Sequence, residues 1–359
     1  MARAIQVYLA MEMIRIGGSK DSASAIMAYS GFGYPNQDEW RVHISGVAWQ
    51  TPIIFNMRQR MMIRMLGGVM HATPEEMKGE VFQSRITPFM AEADHRQSII
   101  ATINGTSYRL KKRTRKNGHF HDWLSLKKDV IENAITTTNG VETVNFTVAI
   151  EGADAEPAES VLYLQPKQGI SIISDIDDTI KDSFVSDRRE LLANTFLREF
   201  KSVQGMAEVY NQWAAAGASF HYVSSSPWQL YPSLQQLHSV HEFPLGTMHL
   251  RNFRLRDQLL KRVIIRRQGK ATAIRTLIKN MQGRKFVLIG DSGEKDPKIY
   301  RKICRQFPDQ IKGVFIHDLS NRPLEDDRFK KLADAIPHGI CAKFKSATQL
   351  SELAGDLLG

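Results

Sequence analysis

Cysteine is almost absent from this chain of 359 residues, which contains only Cys304 and Cys341. Two thiols so far from any metal-type pairing exclude a disulfide framework and a zinc ribbon, and both read as small buried side chains in a reducing, cytoplasmic setting. Long hydrophobic runs are missing as well. The N-terminal stretch 4–16 is moderately apolar, but Glu12 and Arg15 interrupt it and no small-residue cleavage site follows, so a secretory leader is not expected. No segment approaches the ~20 apolar residues of a membrane-spanning helix. Repeats and low-complexity tracts are also lacking, and the hydrophobic content of 42% with 24% charged residues is that of a folded globular protein. The expectation is a soluble protein of two unequal domains that meets a membrane only at its surface.

Acidic residues are scarce in one place. The formal net charge is +10, yet residues 1–165 carry 18 Lys and Arg against 17 Asp and Glu, whereas residues 166–359 carry 30 against 21. Within the second half, residues 251–285 hold 12 basic residues and the single acid Asp257, a net of +11. A solvated face is the plain reading of such a run, and an anionic substrate or surface the sharper one.

From Trp40 to about Pro166 alternating apolar segments bounded by turn residues predict strands: 41–49, 98–103, 107–111, 119–126, 144–150 and 161–165. Asn104-Gly105 between two such runs predicts a tight hairpin. Residues 53–66 and 74–89 have helical spacing, the second opened by Thr73-Pro74 and Glu75-Glu76. This predicts a mainly β, sandwich-like N-terminal domain over 1–165 with a helical excursion. After the acidic, small-residue stretch 152–160 the pattern changes. Short buried-type strands at 170–174, 220–223, 286–289 and 313–316 alternate with helical segments, predicting an α/β domain over 166–359 built on a parallel sheet. In such sheets the site lies beyond the carboxyl ends of the strands.

Chemistry gathers at those ends. The first strand runs into Ser174-Asp175-Ile176-Asp177-Asp178-Thr179, three carboxylates within four residues. A helix cap needs one aspartate; three so close repel unless a cation compensates them, which points to a divalent metal. The second strand ends in Ser224-Ser225-Ser226-Pro227, hydroxyls and free N–H groups that suit phosphoryl oxygens, though a serine-rich turn is often only a turn. Lys270 opens an amphipathic helix and by itself means nothing. The strand at 286–289 ends in Gly290-Asp291, with Asp296 five residues on.

In this order the four elements resemble the haloacid dehalogenase (HAD) superfamily, whose pattern is an Asp-x-Asp-x-Thr strand end, a Ser or Thr strand end, a lysine and a Gly-Asp-x4-Asp strand end. The longer words around 173–181, 221–230 and 290–300 are similar to one branch of it, the phosphatidate phosphatases typified by the yeast actin-patch-associated enzyme, with a more distant likeness to the lipins. The resemblance implies a HAD-like Rossmannoid sheet in the C-terminal half. It also implies a phosphatase in which Asp175 is the covalent nucleophile, Asp177 the acid–base partner with a raised pKa, Ser224 the phosphoryl-binding hydroxyl and Lys270 the charge-balancing lysine, with Thr179 and Asp296 in support. Mg2+ is the implied cofactor, held by the Asp175 carboxylate, the Asp177 backbone carbonyl, the Asp291 carboxylate and waters. Asp178 falls outside the functional positions and is expected to make local hydrogen bonds.

The basic run between the second and fourth strand ends makes Arg254, Arg262 and Arg266 candidates for contact with an anionic phospholipid substrate and with the membrane that carries it. Two alternatives stand beside this reading. One is a phosphatase of nucleic-acid ends or soluble phosphoesters, disfavoured because Phe253 is the only aromatic residue in 251–285; the other is a non-catalytic binding module, disfavoured because every catalytic position is filled by a competent residue. The sequence identifies no protein partner.

Overall fold

The computed structural model describes residues 22–52, 57–183, 188–252, 268–320 and 323–357. Its first part is a ten-stranded mixed sheet made of β1 (Ser22–Ala28), β2 (Gly31–Asn36), β3 (Glu39–Pro52), β4 (Glu92–Ala93), β5 (Ile99–Ile103), β6 (Thr106–Arg109), β7 (His119–Lys127), β8 (Ile135–Thr138), β9 (Val141–Ile150) and β10 (Ala158–Leu164). The long β3 pairs with β2 and β7 along its first half and with β1 and β4 along its second. Two halves of the sheet are thereby folded over one core of Val42, Ile44, Phe120, Val144, Phe146 and Val148, and the arrangement is sandwich-like with unbroken hydrogen bonding. The alternation that predicted strands is visible as alternating burial, for example along Ile99–Ile103.

The expected hairpin is present. Asn104 and Gly105 both take positive φ, 46° and 72°, and join β5 to β6 through the pair Ile103 and Thr106. A second hairpin of the same kind was not predicted from sequence. Asn139 and Gly140 join β8 to β9 with φ of 51° and 75°, and the polar threonines of β8 give that strand no apolar alternation to find it by. Strands β1 and β2, which also lack strong alternation, likewise go beyond the sequence reading.

The helical excursion between β3 and β4 comprises α1 (Met57–Met70), α2 (Pro74–Lys78) and α3 (Glu80–Met90). Residues 53–56, the start of the first predicted helix, lie outside the described residues, and that helix runs four residues further than expected. The second predicted helix is two. Thr73 and Glu76 cap α2 reciprocally, and Gly79, extended at φ −61° and ψ 151°, ends α2 and opens α3. One more short helix, α4 (Lys128–Glu132), follows β7.

The second part alternates strand and helix: β11 (Ile170–Ser174), β12 (Lys181–Asp182), α5 (Arg188–Phe196), β13 (Lys201–Ser202), α6 (Met206–Ala215), β14 (Ser219–Pro227), α7 (Tyr231–Val240), β15 (Gly246–Arg251), α8 (Gln268–Asn280), β16 (Lys285–Asp291), α9 (Asp296–Gln306), β17 (Ile311–His317), α10 (Asp326–Ala333), β18 (Ile340–Phe344) and α11 (Ala347–Ala354). All six long strands are parallel, in the order β15-β14-β11-β16-β17-β18. Chain order reverses between β11 and β16, and the crevice above that switch point is where open α/β sheets bind ligands.

Both faces of this sheet are covered, which explains its continuously apolar strands. Ile172, Phe220, Tyr222, Val287 and Ile289 pack toward α6, α7 and α11, while Ile173, Val223, Phe286, Leu288 and Val314 pack toward α8, α9 and α10. Phe32 of β2 joins the second of these cores. Ser30, between β1 and β2, donates its N–H to the Tyr231 hydroxyl at 2.8 Å and accepts through Oγ from Met248 N–H at 3.1 Å. Cys304 and Cys341 are free, and burial pushes both thiols up to about 12, as suits packing rather than reactivity.

One buried cation holds the connection between the two sheets. Arg284, 1% exposed, donates to the carbonyls of Pro166, Gln168 and Ile170 and to the hydroxyls of Ser171 and Ser219, over 2.6–3.1 Å. Its planar fork is what allows five partners at once. Arg284→Met strands those acceptors in the interior and is expected to cost about 3 kcal/mol, read as a lower urea midpoint. Arg284→Lys, which cannot span the same set, is expected to recover less than half of the loss.

Candidate active site

The reversal of chain order brings the ends of β11 and β16 side by side, and with them Asp175 and Asp291. Asp175 N–H donates to the Ile289 carbonyl at 2.8 Å, so the first residue beyond β11 is still fixed by β16. The chain then turns tightly: the N–H groups of Ile180 and Lys181 both reach the Ile176 carbonyl, and Asp178 takes a positive φ of 54°. Asp178 has the local role expected of it. Its Oδ1 accepts from Ser183 N–H at 2.8 Å, and His317 Nδ1 donates to its carbonyl at 2.7 Å.

Lys270, near the start of α8, lies between two carboxylates. Its Nζ is 2.9 Å from Asp175 Oδ1, 2.5 Å from Asp296 Oδ1 and 4.0 Å from Glu294 Oε2, with Lys270, Asp175 and Asp296 all buried. Burial alone would lower the lysine pKa; Asp175, Asp296 and Glu294 outweigh it and raise it, so Lys270 is a fixed cation. Asp296 is held close by a glycine. A Cβ on Gly290 would stand 2.1 Å from Asp296 Oδ2 and 2.7 Å from the Tyr300 hydroxyl.

Four carboxylates, Asp175, Asp291, Glu294 and Asp296, thus face one ammonium. Burial, joined by the neighbouring acids, raises Asp175 well above the ordinary range, Asp291 to about 6 and Glu294 to about 7. Oxygens of Asp175, Asp291 and Glu294 lie within 4.8 Å of one another. Asp175 Oδ2 and Asp291 Oδ2 are buried without a hydrogen-bond partner. An all-oxygen donor set, excess negative charge and unpartnered carboxylate oxygens fit a hard divalent cation.

Asp177 differs from the sequence expectation. Its Oδ1 accepts from Lys181 Nζ at 2.7 Å and Ser183 Oγ at 2.8 Å, and its Oδ2 from Ser224 Oγ at 2.9 Å and Ser226 Oγ at 2.6 Å. A raised pKa was expected. Burial pushes in that direction, but the Lys181 charge and the hydrogen bonds from Lys181, Ser226 and Ser183 overcome it and hold the carboxyl below its usual range. Its side chain therefore faces Lys181 and the serines; the ligand role expected of Asp177 rests on its backbone carbonyl and not on this carboxylate.

Ser224 follows Val223, where the regular pairing of β14 with β15 breaks, although the strand runs on to Pro227 instead of ending at 223 as predicted, and its Oγ also accepts from Ser226 N–H at 2.8 Å. Thr179 is buried with its hydroxyl unpartnered. Sequence reasoning missed Glu294 and Lys181. Glu294 reaches the cluster because its N–H donates to Asp291 Oδ1 at 2.8 Å, closing a turn that the Gly290–Pro297 word does not announce. Lys181 carried a usable signal, a lysine four residues after Asp177, a spacing at which one turn of chain can bring the two charges together. Arg254, Arg262 and Arg266 lie outside the described residues. Two of the twelve charges that made the run 251–285 so basic, Lys270 and Arg284, are interior, while Arg251 at the end of β15 is half-buried beside Glu294.

Sequence comparison bears on this same region. Residues 170–318 match the family model described as the catalytic domain of phosphatidate phosphatase APP1. Phosphatidate phosphatase APP1 of Saccharomyces cerevisiae is 34% identical over 188 residues, and an uncharacterized protein of Schizosaccharomyces pombe is 34% identical over 192 residues. These alignments take in 50% and 51% of this chain and 31% of each relative, so the chain spans about a third of the length of the curated relatives it matches. Among solved structures, a HAD family hydrolase from Deinococcus radiodurans with bound phosphate and sodium aligns over 52% of this chain and 96% of its own, at 13% identity and a TM-score of 0.31. The aspartates, the lysine and the glycine turn assembled around one crevice all lie within residues 170–318, the segment that matches the catalytic-domain family of phosphatidate phosphatase APP1.

Proposed function

We propose that this chain is a magnesium-dependent phosphomonoester hydrolase that releases phosphate from phosphatidate to leave diacylglycerol. The observation that carries the reading is Lys270 fixed between Asp175 and Asp296, at a crevice where Asp175 and Asp291 meet from adjacent strands. The name of the matched family and of the budding-yeast relative supports phosphatidate as the substrate.

In the first displacement an Asp175 carboxylate oxygen forms a bond to phosphorus, the phosphorus–oxygen bond to diacylglycerol breaks, and the departing oxygen takes a proton. In the second, water adds to phosphorus, the aspartyl bond breaks, and inorganic phosphate leaves. Lys270 keeps Asp175 oriented and offsets phosphoryl charge, and Asp296 keeps Lys270 in place. Ser224 and Ser226 are the hydroxyls near enough to exchange Asp177 for phosphoryl oxygens. While they remain on Asp177, with Lys181, they keep it a weak base; once they turn to the phosphoryl group its proton affinity rises, so that it can carry the proton given to the leaving oxygen and then take one from water. Asp175, Asp291 and Glu294, with the Asp177 carbonyl, are the groups to hold Mg2+, which when bound supplies charge neutralisation at the nucleophile and the phosphoryl group. Arg254, Arg262 and Arg266 belong to the proposal as contacts for the anionic headgroup and bilayer surface. No helix among the described residues is long and apolar enough to cross a membrane.

Measurements of turnover and of stability test this reading. Asp175→Asn and Asp177→Asn are each expected to lower phosphate release from phosphatidate by on the order of 10³-fold or more with the fold intact, and the double variant to lose little beyond either. A panel containing phosphatidate, a sugar phosphate and 3′-phosphorylated DNA reports specificity; preference for the DNA would overturn the substrate assignment.

The second uses stability. Asp291 and Glu294 titrate in the fold at about 6 and 7, above the ~4 of an unfolded chain. Between pH 5 and 8 the metal-free folded state thus binds protons that the unfolded state has released, and its stability falls as pH rises. In chelator the thermal midpoint is expected to drop from pH 5 to pH 8, and magnesium to raise it most at pH 8. The metal assignment fails if magnesium leaves the midpoint at pH 8 unchanged, or raises it equally in Asp291→Asn.

A further inference from the structure

Helix α1 is apolar on two sides. One side, Met62, Ile63, Leu66 and Met70, packs into the core that also holds Ile176 and Ile180 of the catalytic turn and Phe196 of α5. The opposite side has nothing over it among the described residues: Met57, Met61, Met65 and Val69 recur at every fourth position, 85%, 59%, 60% and 45% exposed. They form one stripe and are four of the seven large apolar side chains exposed among the described residues, the other three being Val240, Leu245 and Ile340, outside this helix. A helix that needed only to cover the core would carry polar residues there.

The charge of α1 is of one sign. Arg58, Arg60 and Arg64 lie within it and no acid does. Arg60 and Arg64, both exposed, run along one edge of the methionine stripe on the helical wheel. They also line, with His71 and the Gly67–Gly68 pair, a shallow groove of about 650 Å³ between α1 and the start of α2. Nothing stands within 4 Å of a Cβ placed on Gly68, so the backbone is open there.

The position of this helix is fixed relative to the site. Arg85 of α3 donates to the carbonyls of Asn194, Thr195 and Arg198 at the end of α5, and its guanidinium lies 3.9 Å from the Phe200 ring centroid. Helix α5 is the first helix after the catalytic turn, so the excursion is clamped to the element that follows Asp175–Asp178.

We propose that the outer face of α1 is the surface by which this protein lies on an anionic lipid bilayer, the methionines entering the acyl boundary and the arginines meeting lipid phosphates. Unbranched, flexible methionine side chains suit a fluid partner, and an arginine-edged apolar stripe free of acids is complementary to a negatively charged interface. The inference deepens the proposed reading, since it supplies the surface that brings the crevice to a lipid substrate. Its test is independent of turnover.

The full-length protein is floated with vesicles of phosphatidylcholine alone and with 30% phosphatidylglycerol, neither containing phosphatidate. Wild type is expected to float with the anionic vesicles, about tenfold less when salt is raised from 0.05 to 0.5 M, and weakly with the neutral ones. The combined variant Met57→Ser, Met61→Ser, Met65→Ser, and separately Arg60→Glu with Arg64→Glu, are each expected to lose about tenfold of the anionic binding while hydrolysis of a soluble aryl phosphate and the thermal midpoint stay unchanged. Failure of the wild type to float, or flotation of the serine variant at the wild-type level, overturns the proposal. So does sedimentation showing a wild-type dimer that the serine variant dissolves, because a second copy is then the occupant. The proposed phosphatase activity stands or falls separately, by phosphate release from phosphatidate in detergent micelles.

Discussion

Charge balance at the end of β11 governs this molecule. Buried carboxylates that meet from neighbouring strands cannot all be ionised without positive charge, and Lys270 provides only part of it. With burial, the remaining imbalance is expressed as raised proton affinity at Asp175, Asp291 and Glu294, and it makes the crevice a place suited to a cation. Asp177, two residues from Asp175, has the opposite environment because Lys181 and three hydroxyls are committed to it. One turn of chain thus separates a carboxyl whose charge is suppressed from one whose charge is stabilised.

The fold exists to deliver that contrast. Parallel strands buried on both faces leave polar side chains no place except the strand ends, and the switch of chain order puts two such ends together. Gly290 then removes the one side chain that would keep Asp296 from Lys270. The sheet, the turn at Ile176 and the glycine are separate devices, and the spacing of Lys270 from both of its partners depends on all three.

Much of this was legible in the sequence, for physical reasons that can be named. The strands β11, β14, β16 and β17 are continuous apolar runs because both faces are covered, and their ends stand out as the only places where acids and serines follow such runs. Asn104-Gly105 was legible because the turn needs two positive φ angles. Asn139-Gly140 has the same requirement but flanks a polar strand, and β15 and β18 are sheet members whose sequences mix polar and apolar residues. The state of Asp177 was not legible, since it depends on Lys181, Ser183, Ser224 and Ser226 converging from two segments. The basic run was misleading in part, because sequence counts Lys270 and Arg284 as surface charge when both are interior.

The insertion of Phe32 into the core beside His221 of β14 and His249 of β15 has a consequence for the history of this architecture. The segment that carries the chemistry begins near residue 170, but the hydrophobic core it needs is completed from residue 32, and Arg284 reaches back to Pro166 and Gln168. A crossover at the edge of the catalytic segment would leave a hole on one side and unmatched carbonyls on the other. The unit that recombination can pass intact from one protein to another is therefore larger than the unit that does the catalysis, and the two sheets are expected to travel as one heritable piece.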